Sequence, residues 1–371
     1  MDTILVLHDG KPGHISQSLG LAHAIAANHP AHIALQQVKP RSGPAGRLAR
    51  LLCRWPLASA LARRLLFKLA DEQTEHGQAL ASYPVKPGLI ISMGGQVVAC
   101  NAASARHFKC PNIVIGDRKS VPKSAFTANI RRKGDKHDMR VIGSGITFCK
   151  TNTSSSQALS SQAPSFQEQL DPSQRYWCLL VGGKGSGYVY DHNDIRHLFD
   201  WLKQQAIDNN IHWLISTSRR TSKKHEQLLR ELIEQDPIIK DRVAKTLWVN
   251  AGNNEPVMPL LSTAEQLFVT EDSLSMVNEA VATTKPVYTL MPHQANIKSG
   301  HRKAMRYLCK QGLIQRIALD NPEPLKPLQV KFSYQAHVSR VLTRLSQLGA
   351  FDGLHQPKQE NGGPQTYPSN A

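Results

Sequence analysis

The sequence predicts an α/β protein made of two doubly wound, Rossmann-like domains. Three observations carry this. Short apolar runs ending in glycine or polar residues are repeatedly followed by stretches with helical periodicity. One stretch, Leu267–Leu290 (LFVTEDSLSMVNEAVATTKPVYTL), compresses two apolar strands and a capped helix into a single unit. Between two such series lies Thr151–Pro172, rich in Ser, Gln and Pro and poor in large apolar residues, which reads as a linker.

The Leu267–Leu290 unit explains the rest. Leu267–Thr270 is a buried strand ending at Glu271, and Asp272 and Ser273 can cap the helix that follows. That helix runs through about Ala282, and Lys285-Pro286 stops it before the strand Val287–Leu290. Strand, helix and strand in so short a span form a right-handed βαβ unit of a parallel sheet. Where the first strand's carboxyl end meets the helix start, such sheets hold anionic ligands. Glu279 shares a helix face with Asp272 and Ser275. There it can accept hydrogen bonds from a ribose diol, and it reads equally well as a solvated helix position.

Composition narrows the classes. A chain of 371 residues can form two domains with sizeable cores. Its six cysteines are scattered without CxxC spacing, as in reduced thiols rather than a disulfide frame or zinc site. MDTILVLHDG lacks a basic leader and reads as a first strand, and no apolar run reaches the ~20 residues of a spanning helix. The net charge is +17, and residues 1–150 carry 21 Lys/Arg against 8 Asp/Glu. Such a field favours an anionic partner.

Taken in order, strand Thr3–Leu7 leads into His8-Asp9-Gly10-Lys11-Pro12-Gly13-His14 and a helix from Ser16 to about Ala27. Gly10 and Gly13 let backbone approach a ligand, and His14, at the expected cleft mouth, is a candidate acid or base. In Ala45–Leu69, six basic residues from Arg47 to Lys68 alternate with Leu, Trp55 and Phe67, with Pro56 splitting two amphipathic segments. This suits a helix pair in an anionic lipid interface, and equally a surface helix closing the core. No nucleic-acid module accompanies it. Gly88–Met93 is a strand ending in Gly94-Gly95. A helix around Val98–Arg106 and a strand Asn112–Ile115 follow, the latter ending in Gly116-Asp117-Arg118. Lys119–Lys150 reads as basic and irregular.

The second series opens with strand Trp177–Val181 and the loop Gly182-Gly183-Lys184-Gly185-Ser186-Gly187, a phosphate or hinge loop without P-loop spacing. A helix over Asn193–Gln205 and strand His212–Ser216 lead to Ser218-Arg219-Arg220, where adjacent arginines suit a diphosphate and equally a solvated turn. After the helix containing Glu226–Ile233, a strand Leu247–Val249 is expected to end in Asn250–Asn254, with Asn253 near the ligand. A last helix covers about His337–Leu348.

The blocks DGKPGHISQSLGLA, LLVGGKGSG, STSRRT and VTEDSLSMVNEAVATTKPVY resemble the mitochondrial-fission "elongated mitochondria" family, whose bacterial members are regarded as glycosyltransferases. They are more distantly similar to the GT-B transferase that adds N-acetylglucosamine to the lipid-linked peptidoglycan precursor. Asp9–His14 matches that family's first glycine turn, Gly94-Gly95 its glycine pair, Gly182–Gly187 its glycine–serine loop, and Ser273 with Glu279 its phosphate and ribose positions. Two departures concern the acceptor side. Asp117 matches the later first-domain carboxylate only within IGDRKS, a context foreign to both families, and Lys136-His137-Asp138 departs from a Pro–His–Asp segment.

The resemblance implies a GT-B architecture whose two domains face each other across a cleft. Residues 1–150 would be the acceptor and membrane-facing domain, 151–174 a linker and 175–335 the nucleotide-sugar domain. Residues 336–355 would be a helix returning to the first domain, and 356–371 a disordered tail. It implies sugar transfer from a nucleotide-diphosphate donor to a cell-envelope glycolipid, without metal or cofactor, on the inner face of the cytoplasmic membrane. Gly182, Gly183, Gly185, Ser186, Ser218, Arg219, Asn253, Asp272, Ser273, Ser275 and Glu279 would hold the donor. Gly10, Lys11, Gly13, Gly94 and Gly95 would line the acceptor side, and His14 or Asp117 would be the base. A sugar-nucleotide epimerase and a non-catalytic membrane-associated protein are the alternatives.

Overall fold

The computed structural model describes residues 2–38, 86–95, 97–119, 121–149, 170–253 and 255–355. The arginine-rich segment Arg47–Lys68, the linker up to residue 169 and the tail 356–371 lie outside them. Two compact units emerge: one from residues up to 131 with 135–142 and those from 342 onward, the other from 132–134 and 143–341.

The first unit holds strands β1 (Asp2–His8), β2 (Ala31–Gln37), β3 (Leu89–Met93), β4 (Asn112–Ile115), β5 (Ala128–Arg131) and β6 (Val141–Gly143), in the order β2-β1-β3-β4-β5-β6. The pairings from β2 through β5 are parallel. Helix α1 (Pro12–Ala26) follows β1, and α2 (Val98–Phe108) follows β3. The first helix begins at Pro12, not Ser16, because a proline at the first helical position loses no intrahelical hydrogen bond. His14 therefore sits in the first helical turn. A buried amide network ties α2 to the sheet: Asn101 Nδ2 donates to Ser92 Oγ at 2.8 Å, and Asn112 Nδ2 donates to Asn101 Oδ1 at 2.7 Å. The last described residues return to this unit, where His355 Nδ1 lies 2.7 Å from Asp2 Oδ1. Gly88 and Gly353 pass backbone to backbone, and a Cβ on Gly88 would stand 2.1 Å from the Gly353 oxygen.

The second unit contains β7 (Tyr176–Leu180), β8 (Lys184–Gly185), β9 (Tyr188–Val189), α3 (His192–Asp208), β10 (His212–Ser216), α4 (Lys223–Gln235), α5 (Pro237–Lys240) and β11 (Val243–Leu247). It continues through α6 (Met258–Thr263), β12 (Gln266–Thr270), α7 (Leu274–Ala282), β13 (Val287–Met291), α8 (Ser299–Lys310), β14 (Gln315–Ala318) and the first part of α9 (Tyr334–Gln347), whose residues from 342 on fall in the first unit. The main sheet, β11-β10-β7-β12-β13-β14, is parallel throughout. Alternation along each strand feeds two cores. Trp177 and Leu179 of β7 and Phe268 of β12 pack with Leu198, Trp201 and Leu202 of α3 and Leu229 of α4. Cys178, Leu180, Leu267 and Val269 pack on the other face with Leu261 of α6, Val277 and Ala280 of α7, and Met305 and Leu308 of α8. Burial on both faces, with helices over each, makes the sheet doubly wound.

Other expectations shift locally. The strand expected at Leu247–Val249 is Val243–Leu247, an edge strand whose polar residues Lys245 and Thr246 hide it from an apolar scan, and Val249–Ala251 is one 3₁₀ turn. The Lys119–Lys150 stretch expected to be irregular contributes β5 and β6. Strands β2 and β14 and helices α6 and α8 add to the elements the sequence marks.

Candidate functional site: two topological switch points

In each unit the chain starts at an inner strand, winds to one side, then crosses to the other. In the first unit β1 lies between β2 and β3, and in the second β7 lies between β10 and β12. The carboxyl ends of β1/β3 and of β7/β12 are therefore switch points, where open α/β sheets bind ligands.

At the first switch point the residues after β1 fold back on those after β3. His14 Nδ1 lies 2.8 Å from Asp9 Oδ1, and the Lys11 ammonium 3.1 Å from Asp9 Oδ2. The Asp9 side chain is 1% exposed and His14 25%. Burial pushes the Asp9 carboxyl up, but bonds from Lys11 and His14 outweigh it and hold the pKa below its ordinary value. Gly94 takes φ +103, and a Cβ there would stand 2.5 Å from His14 Nδ1, so only glycine leaves room for the imidazole. Gly10, at φ +78, turns the chain beside Gln37, and Gly13 lies in the first turn of α1. Gly95 abuts the Lys119 side chain. Asp117, after β4, is exposed and accepts from the Lys119 N–H at 3.1 Å, closing its own turn.

At the second switch point, the Gly182–Gly187 loop is a tight hairpin rather than an open anion loop. Strands β8 and β9 pair antiparallel, with Ser186 (φ 54) and Gly187 (φ 92) both left-handed as a type I′ turn requires. Its tip is docked: the Asn296 and Lys298 N–H groups donate to the carbonyls of Gly187 and Ser186 at 2.9 and 3.0 Å. The other glycines permit close packing. A Cβ on Gly182 would meet Asp272 Oδ1 at 2.0 Å, one on Gly183 the Arg220 carbonyl at 2.3 Å, and one on Gly185 Arg220 Nη1 at 2.5 Å.

Asp272 was expected to cap the helix after β12, but it turns inward instead. Thr270 Oγ1 donates to Asp272 Oδ1 at 2.8 Å, and the cap is Ser273, whose Oγ accepts from Met276 N–H at 3.5 Å and lies 3.0 Å from Ser275 Oγ. The Asp272 side chain is fully buried, and burial pushes its carboxyl up against the Thr270 bond and the Arg220 charge. Arg220, the second of the arginine pair, reaches this point: Nη1 donates to the Asp272 carbonyl at 2.8 Å and lies 3.8 Å from Oδ2. Arg219 is exposed. Ser218 bonds within its own turn, accepting from Arg220 N–H at 3.2 Å. Asn253 pins the loop after β11, its Oδ1 accepting from Trp248 N–H at 3.0 Å, two strands away from β7. Glu279 is half-buried on α7, close enough to Cys149 to raise that thiol further above the level set by burial.

Two further residues belong here. Glu271 is fully buried and saturated: Arg316 Nε and Nη2 clamp its oxygens at 2.8 and 2.7 Å, while Tyr188 and Thr289 hydroxyls donate at 2.8 and 2.7 Å. His301, on α8, is 7% exposed and packs edge-on against Tyr188. Burial lowers its pKa; Glu271 opposes this, and Arg220 and Arg132 add to it. His301 Nε2 and Asp272 Oδ2 are buried with no hydrogen-bond partner among the described residues. The adjacent arginines were the sequence signal for Arg220; nothing in the local pattern marks His301, because its neighbours join it only through the fold.

Two parallel sheets, each with its own switch point, define a GT-B-type α/β protein. The family model for Mitochondrial fission ELM1 matches residues 12–341, and the chain belongs to that family. An uncharacterized protein of Rickettsia prowazekii (strain Madrid E) is 27% identical over 124 residues, a stretch spanning 33% of each chain. Among solved structures, the UDP-GlcNAc 2-epimerase of Methanocaldococcus jannaschii matches with TM-score 0.53 at 11% identity, over 94% of this chain and all of that one. The E. coli ADP-heptose LPS heptosyltransferase II matches with TM-score 0.45 at 14% identity, over 94% and 99%. MurG of Acinetobacter baumannii matches with TM-score 0.45 at 10% identity, over 95% of each chain. At such identities the likeness is one of fold.

Proposed function

We propose that the protein is a glycosyltransferase that takes a sugar from a nucleotide-diphosphate donor held on the second unit. The observation that carries this is that Asp272 Oδ2, at the start of α7, and His301 Nε2 are both buried without a hydrogen-bond partner among the described residues, while the charge of Arg220 acts on both residues. A buried polar atom without a partner costs about 1–3 kcal/mol, a cost a polar ligand at the switch point would relieve. The diphosphate would meet Arg220 and the helix start capped by Ser273, with Ser275 and Glu279 farther along α7 toward the ribose. Positive charge and helix N–H groups would stabilise the leaving diphosphate.

His14 would be the base. With Nδ1–H donated to Asp9, Nε2 is left to take the acceptor hydroxyl's proton as the new C–O bond forms and the sugar–phosphate bond breaks. The resulting imidazolium would be stabilised by the Asp9 carboxylate. The acceptor is proposed to be an envelope glycolipid, with the Arg47–Lys68 segment meeting anionic lipid on the cytoplasmic face. Among the described residues no helix is long and apolar enough to cross a membrane.

Incubation with a panel of nucleotide-diphosphate sugars tests the reading. Nucleotide diphosphate release that depends on added glycolipid is expected. Epimerised free nucleotide sugar without acceptor, or no turnover with any donor, would contradict it.

A further inference from the structure

Away from both switch points, the second unit contains a cleft of about 660 Å³. Its walls are Ser144 and Ile146, the end of α8 with the turn that follows it, Gln329 with residues 331–333, and the first turns of α9. That volume is ordinary for a small-molecule site. Ile146, Leu313, Phe332 and Ala336 give it an apolar side, and Lys331 and Arg340 carry its charge. None of the described residues lining it is acidic.

The floor is a chain of donors. The Ser144 hydroxyl donates to the Ile146 carbonyl, so its oxygen accepts from His337 Nε2–H at 3.1 Å. His337 Nδ1 is then the acceptor for Arg340 Nη2 at 3.2 Å. His337 is 6% exposed and neutral in this arrangement; burial and the Arg340 charge push its pKa down to about 4. The imidazole thus fixes one edge of the guanidinium and leaves its other N–H groups for the cleft, which Lys331 also lines. Gln311 and Gln329 also line the cleft and carry amide donors. Two positive charges, several donors and no carboxylate match a phosphate dianion, and the apolar wall matches a hydrocarbon group attached to it.

We propose that this cleft binds a phosphate monoester carrying an apolar group, through Lys331 and Arg340 at the head and Phe332, Leu313 and Ile146 at the tail. The site shares no residue with the proposed donor site and stands apart from that reading.

Calorimetric titration of the full chain with octyl phosphate, below its micellar concentration, tests this. Saturable binding is expected, with octanol and inorganic phosphate each at least about 10-fold weaker. Arg340→Gln and Lys331→Gln should each weaken octyl phosphate by about 10–100-fold, the worth of a charged hydrogen bond, with an unchanged urea melt as the check on folding. No saturable octyl phosphate binding, or unchanged affinity in both variants, overturns the site. Equal binding of octanol would show that the cations play no part, and equal binding of inorganic phosphate that the apolar wall plays none; either also overturns it.

Discussion

Gly182 and Asp272 touch across the second switch point so closely that a Cβ on the glycine would lie 2.0 Å from the carboxylate. The glycine admits the carboxylate, and the carboxylate, bonded to Thr270, sets where Arg220 can reach. A Gly182→Ala change must displace Asp272 or the β7 end. We expect a loss of about 1–3 kcal/mol in a urea melt, the usual cost of overpacking, together with weakened nucleotide-diphosphate binding. Unaltered stability and affinity would show that the contact is slack.

His337 gives stability a pH dependence. Its pKa of about 4 in the folded chain lies below the ordinary 6.5, so between those values the unfolded chain binds a proton that the folded one refuses. Stability is therefore full above pH 6.5 and falls as pH drops toward 4, by about 3 kcal/mol from this group. His337→Gln can keep both hydrogen bonds without titrating. Parallel melts of the two proteins should diverge by that amount across the window, and identical pH profiles would contradict the assignment.

The Asp9–His14 pair makes a kinetic prediction. His14→Ala should lower turnover by about 10²–10⁴-fold, with donor affinity near the parent value, and Asp9→Asn should lower it through loss of the imidazolium partner. Full single-turnover activity in His14→Asn would assign the imidazole a merely structural role and leave Asp117 as the remaining candidate base.

The basic segment Arg47–Lys68 predicts salt-sensitive co-sedimentation with anionic vesicles, since surface charge attraction is screened within a Debye length. Arg50→Glu with Arg54→Glu should abolish most of it. Retained salt-sensitive binding in that double variant would place the membrane contact elsewhere.

The inner strands were legible in the sequence because burial on both faces writes them as mainly apolar runs: Gly88–Met93, His212–Ser216 and Leu267–Thr270 need no fold to be seen. Edge elements were not. β2 carries His32 and Gln36, β11 carries Lys245, and β14 is the four-residue QRIA, so each lacks that run. The glycine loop was visible as a position but not as a shape, since the hairpin depends on docking to Asn296 and Lys298, over a hundred residues away in the chain. His14 was marked by its glycine turn, but its bond to Asp9 emerged only in the structure. His301 and Arg316 reach Glu271 only through the fold, and no local periodicity records that.

The central claim is that the second switch point holds a nucleotide diphosphate, and calorimetric titration with the nucleoside diphosphates tests it most directly. We expect saturable binding of at least one of them by the parent chain. Arg220→Gln and His301→Ala should each reduce affinity by about 10-fold or more, while Arg219→Gln should have a smaller effect. No binding of any nucleoside diphosphate to the folded chain, or equal affinity in the parent, Arg220→Gln and His301→Ala proteins, would contradict the account.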